Sequence, residues 1–221
     1  MKPWQKKLIR IVTPLLKKLE PVHGVVHAER VFKYCLIFAK DYRKADIEAL
    51  FAAAYLHDLG QLKLKNGMGV HGYLSANIAD FILKKAGISE KKFSLIKQII
   101  KMHEKQYERE LSKKKLPIEV FIFHDADKIE GGIGAIGLAR QFAFSGGVGK
   151  KIWDPNIPRN SSLPYGGNFS AIHTVLDWDI KKKFYTKKGK EIAKERKKYT
   201  RTFIKRFFQE WNFKKQLKLS P

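Results

Sequence analysis

The chain has 221 residues, 44% hydrophobic and 30% charged, with a single cysteine and a formal net charge of +24. That length and apolar share suffice for one domain with a full core, and the lone Cys35 excludes an internal disulfide framework and points to a reducing compartment. No apolar run is long enough for a membrane span and no secretory signal is recognisable, so a cytoplasmic protein is expected. The positive charge predicts attraction to phosphate-bearing ligands, without choosing among nucleotides, RNA, DNA and acidic membranes.

The N-terminus is basic and amphipathic, with Leu8, Ile9, Val12, Leu15 and Leu16 among lysines, and reads as a helix packed on the domain, ahead of one lying on an anionic membrane. Turns are expected at 21–24, 66–69, 87 and 112–117. After the first turn, His27 heads a helix whose apolar positions are Val31, Cys35, Phe38 and Ala39. The run Leu50 to Leu56 is Ala- and Leu-rich and closes on His57-Asp58, with Gly60 as the expected helix stop. Ser89 and Glu90 open a helix bearing Phe93, Ile96, Ile100 and His103 along one side. Asp125 and Asp127 fall on a helix that Pro117 starts and Gly131-Gly132 ends.

Gly132, Gly134 and Gly137 match a dinucleotide-binding glycine pattern, but that motif needs a preceding strand. Here the glycines follow a charged segment and read as a close helix–helix contact or as backbone left free at the pocket. From about 145 to 170 Gly and Pro crowd together in a long loop, with Trp153 and Tyr165 suggesting order near a pocket mouth. The C-terminal part, about 171–217, returns to helix, with Ile192, Tyr199, Phe203, Phe207 and Trp211 as the expected docking stripe. Together with a motif-bearing core at about 21–142, these parts predict one all-α domain over 1–221.

His27, His57-Asp58 and Asp127 read together as one metal site. A charged pair closing so apolar a stretch is costly to bury without a partner, and a divalent cation is such a partner. Mixed imidazole and carboxylate donors suit Mn, Fe, Co, Ni or Zn. Such an ion acidifies water and neutralises a phosphoryl oxygen. Asp125 competes for the fourth place, but residues two apart on a helix face about 200° apart and do not share one ion.

The ordered set, with His23-Gly-Val-Val-His27-Ala-Glu-Arg30-Val31, Leu74-Ser75-Ala76, Ile99-Ile100-Lys-Met-His103 and the segment from Asp125 to Arg140, resembles the HD-domain phosphohydrolases, in particular small single-domain members that act on nucleotides. The resemblance implies an all-α helical bundle and metal-dependent cleavage of a phosphoanhydride or phosphoester bond of a nucleotide. It also implies that Asp127, preceding the basic Lys128, is the ligand, leaving Asp125 to orient a ligand or water. Asp58 doubles as ligand and water-orienting base, and Arg30, one turn after His27, is placed to meet phosphate or a ligand carboxylate, with a structural salt bridge as the other reading. Lys128 is a further phosphate candidate. Some relatives bind a second ion through two more histidines, for which His71 and His103 fall in the right order. Either histidine has a second expected role, as a phosphate contact or general acid. Two other readings stand beside this one: a phosphodiesterase or nuclease using the basic surface on RNA or DNA, and a non-catalytic nucleotide- or nucleic-acid-binding module.

Overall fold

The computed structural model describes residues 1–19, 22–64, 70–104, 111, 115–147 and 183–211, the side chains of 141–147 excepted. The described residues are predominantly helical and contain no strand, so the all-α expectation holds. Helix α1 (Pro3–Leu16) starts on a proline, whose missing N–H is no loss at a first position, and buries Leu8, Val12 and Leu16. Its apolar face therefore packs on the domain, against α3 (Ile47–Leu56) and α4 (His71–Ala86). Ahead of α3 in the chain, α2 (Val25–Ala39) buries His27, Ala28, Val31, Cys35, Phe38 and Ala39.

Helix α3 is capped by Asp46, whose carboxylate accepts from the N–H groups of Glu48 and Ala49 at 3.0 Å each. Every residue of α3 from Ala49 to Leu56 is buried, as expected of a helix apolar on all sides at the centre of the bundle. The helix ends at Leu56, and the chain passes through His57-Asp58 into a 3₁₀ turn at Leu59–Lys63. Gly60 thus lies inside that turn, beyond the stop itself. A Cβ there would run into His71 O and lie 2.8 Å from Ser75 N, so only glycine lets α4 approach. Ser75 completes the junction, accepting from Gly60 N at 2.7 Å and donating to His57 O at 2.5 Å.

Gly87, at φ +86°, ends α4, and the N–H groups of Gly87 and Ile88 both return to Leu83 O. A short 3₁₀ turn at Glu90–Lys92 leads into α5 (Phe93–Met102), which buries Ile96, Ile99, Ile100 and Met102. Pro117 caps α6 (Ile118–Gly132), which packs along α2. Ile133 and Gly134 (φ +81°) turn the chain into α7 (Gly134–Gly147). A Cβ on Gly137 would lie 2.7 Å from the carbonyl carbon of Gly132, so these glycines serve the contact between α6 and α7. Ser145 to Gly147 close α7, so the expected loop begins later than 145; the rest of it, with Trp153 and Tyr165, lies outside the described residues, as does the turn at 66–69.

The last helix, α8 (Lys187–Trp211), corrects one expectation. Its buried positions are Gly189, Ala193, Thr200 and Ile204, while Tyr199 is 51% and Trp211 44% exposed. Ile192 and Phe203 pack only partly. Small residues bring this helix close enough for Thr200 Oγ1 to accept from Gly134 N at 2.9 Å. They also let Arg196 donate to Ile129 O and Tyr34 Oη while lying 5.0 Å from the Tyr34 ring centroid.

Candidate metal centre

Three elements bring the motif residues together. Helix α2 contributes His27 from its first turn, the exit of α3 contributes His57 and Asp58, and α6 contributes Asp127. His27 Nε2 lies 3.1 Å from His57 Nε2, 3.2 Å from Asp58 Oδ2 and 3.3 Å from Asp127 Oδ1. His57 Nε2 is 3.0 Å from Asp58 Oδ2 and 3.7 Å from Asp127 Oδ1. His27, His57 and Asp58 are buried, and the Asp127 side chain retains 22% exposure. The cluster therefore opens to solvent on its Asp127 side.

The remaining hydrogen bonds show what these atoms carry. His27 Nδ1 donates to Glu130, and His57 Nδ1 donates to Ala54 O at 2.9 Å. In the neutral rings the protons therefore sit on both Nδ1 atoms, and both Nε2 atoms present lone pairs. They face carboxylate oxygens, of which Asp58 Oδ2 is fully buried and accepts no hydrogen bond. Four inward acceptors without a donor would repel one another, and a cation between them removes the conflict. Bonds of about 2.1 Å to one ion would set cis donors about 3.0–3.4 Å apart, close to the observed spacing. The residues present therefore fit a divalent cation.

Burial opposes a charge on His27, yet its contacts with Asp127, Asp58 and Glu130 prevail and raise its pKa to about 10. Burial also pushes Asp58 and Asp127 up, but the neighbouring imidazoles prevail and hold both well below the usual carboxylate range.

A second group of donors adjoins the first through Asp58. His71 Nε2 lies 3.2 Å from Asp58 Oδ1 and 3.0 Å from His103 Nε2. His71 Nδ1 pairs with Glu104 Oε1 at 2.8 Å, and His103 Nδ1 donates to Ile100 O. Burial, then the positive neighbours His71 and His57, lower His103 to about 3, so it is a neutral imidazole near pH 7. His71 moves the other way, to about 10: burial opposes its charge, but Asp58 and Glu104 prevail. His23 stands beside both groups, with ring centroids 6.0 Å from His27 and 6.5 Å from His71. Phe123 walls the floor, 5.2 Å from the His57 ring.

Asp125 lies apart from these donors. The Asp125 carboxylate is wholly buried on the opposite face of α6, accepting from Tyr185 N at 3.0 Å and from Thr186 N and Oγ1 at 2.7 Å each. It ties down the start of α8. Lys128 is half-buried, one residue beyond Asp127. Arg30 reaches Glu130, with Nε and Nη2 at 2.6 and 2.5 Å from Oε1. Glu130 and Glu104 are the site residues that sequence reasoning missed. Only a spacing of three residues from Asp127 and one from His103 marked them, a signal any solvated glutamate shares.

Comparison with known proteins follows the same residues. Residues 24–132 match the family model described as the HD domain. YpgQ from Bacillus subtilis (strain 168) is 27% identical over 187 residues, covering 83% of this chain and 82% of that protein. A crystal structure of YpgQ in complex with ADP superposes with a TM-score of 0.64 at 24% identity, covering 94% of each chain. A Lactobacillus plantarum protein superposes with a TM-score of 0.76 at 25% identity, over 96% of this chain and 98% of that one. An HD-superfamily hydrolase from Bacillus thuringiensis gives 0.64 at 25% identity, over 94% and 96%.

Proposed function

We propose, from the premise that this chain belongs to the HD-domain family, that it is a metal-dependent phosphohydrolase of nucleotides built as one domain over 1–221. The observation that carries this reading is the donor-free cluster of His27, His57, Asp58 and Asp127, open to solvent beside Asp127. A divalent ion held there, Mn, Fe, Co, Ni or Zn, supplies charge stabilisation for a phosphoryl oxygen and acidifies water. His27 and His57 keep their protons on Nδ1 and turn lone pairs inward. Asp58 helps hold the ion through Oδ2, while its Oδ1 orients the attacking water and accepts its proton. Water adds to phosphorus, the phosphorus–oxygen bond to the leaving group breaks, and phosphate or pyrophosphate departs. Arg30, its side chain 31% exposed at the rim, meets the substrate phosphate. A nucleotide substrate gains support from the YpgQ complex with ADP and from the net charge of +24.

The spacing of His71, His103 and Asp58 Oδ1 favours a second reading of the same centre, in which His71, His103 and Asp58 would help to hold a second ion. An exposed basic face on α8, including Lys194, Lys198, Arg201 and Lys205, favours RNA or DNA as a further partner. One experiment separates the one-ion, two-ion and non-catalytic readings. Ion-free protein is reloaded with Mn, Co or Zn, its metal stoichiometry is measured, and ribo- and deoxynucleotides are screened for phosphate and pyrophosphate release. The hydrolase reading expects release from at least one nucleotide that chelation suppresses. Absence of turnover with the site loaded would leave a nucleotide-binding module.

A further inference from the structure

We propose that Glu130 is a positioning residue: it fixes the His27 imidazole so that its Nε2 lone pair faces the donor cluster, and the same carboxylate sets Arg30 at the rim of that cluster. Glu130 is wholly buried, 103 residues from His27 in sequence. Its Oε2 accepts from His27 Nδ1 and from Arg140 Nη1, and its Oε1 from Arg30 Nε and Nη2. The contact falls on the one nitrogen that decides which tautomer His27 adopts. One carboxylate serves two guanidinium groups, so the trio of Glu130, Arg30 and Arg140 carries a net positive charge.

The surroundings are built for this arrangement. A Cβ on Gly131 would come 3.3 Å from Arg140 Cζ, so glycine makes room for the second arginine. Arg140 Nε is buried without a partner among the described residues, and Nη1 donates to Glu130 Oε2. Arg140 thereby counterbalances Glu130 from α7 while Arg30 does so from α2. A plain ion pair joining α2, α6 and α7 would need no contact with an imidazole nitrogen.

This inference rests on His27 being a metal donor and not on the substrate. The test is Mn²⁺ titration calorimetry on the full chain, comparing wild type with Glu130→Gln and Glu130→Asp, alongside thermal unfolding. Gln keeps the size but not the charge; the expected result is Mn²⁺ binding about 10–100-fold weaker with folding retained, and partial recovery in the Asp variant. A folded Glu130→Gln protein binding Mn²⁺ within twofold of wild type would overturn the proposal. Should that variant fail to fold, long-range ¹H–¹⁵N spectra of wild-type protein loaded with Zn²⁺ decide. The proposal requires His27 protonated at Nδ1, and a proton at Nε2 overturns it. Weakened Mn²⁺ binding in a protein that hydrolyses no nucleotide would uphold this inference and refute the hydrolase reading; the reverse pattern would do the opposite.

Discussion

Asp125 and Asp127 sit two residues apart on α6, and their surroundings could hardly differ more. Asp125 is wholly buried, and backbone N–H groups and the hydroxyl of Thr186 satisfy it. Asp127 faces two imidazole lone pairs and a second carboxylate, with solvent on one side. Burial alone therefore says little about what a carboxylate does. Donors around a carboxylate mark an anchor; acceptors around it mark a place for a cation.

Breaking the acceptor side carries the largest expected effect. A His57→Ala, Asp58→Ala double variant should lose bound metal and at least about 99% of hydrolysis, because two of the four donors are gone. Far-UV circular dichroism should still show most of the helix. Undiminished metal in that variant would show that the donor set is wrong.

Breaking the donor side should reverse the pattern. Asp125→Ala leaves the N–H groups of Tyr185 and Thr186 without their acceptor, and a loss of about 2–4 kcal/mol is expected in chemical denaturation. Metal binding, measured where the variant remains folded, should stay within a few-fold of wild type. Parallel loss of metal affinity and stability would mean that the two faces of α6 are not independent.

A third variant sharpens the comparison at a carboxylate far from the centre. Asp46 caps α3 and pairs with Lys92 at 2.6 Å. Its partial burial pushes its pKa up, but Lys92 and the N–H groups of Ala49 and Glu48 prevail and hold it below the usual value. A depressed carboxylate stabilises the fold above its unfolded pKa and loses that contribution as pH falls through the folded one. Asp46→Ala should thus cost about 1 kcal/mol near pH 7, and the difference from wild type should shrink as pH drops below about 4. A difference that does not change with pH would mean that the charge contributes nothing.

The legible parts of the molecule were those where sequence neighbours carry the signal. His57-Asp58 stands out because a charged pair closes an apolar helix, and the start of α6 because Pro117 precedes it. The opposition of Asp125 and Asp127 follows from helix geometry alone. Glu130 and Glu104 were illegible because their partners lie 103 and 33 residues away along the chain. The docking face of α8 was misread for a different reason. Size suggested Tyr199 and Trp211, whereas close approach selected Gly189, Ala193 and Thr200 and left the large rings outside. Gly60 was read as local punctuation, although its need for glycine comes from α4.

The central claim is that acceptors without donors in this bundle mark the place of a divalent ion. Anomalous diffraction from a crystal of the protein grown with Mn²⁺ tests it most directly. The account predicts a peak about 2.0–2.3 Å from His27 Nε2, His57 Nε2, Asp58 Oδ2 and Asp127 Oδ1 together. A fully loaded protein whose anomalous peak lies elsewhere, with these four atoms hydrogen-bonded to one another or to water, would contradict it.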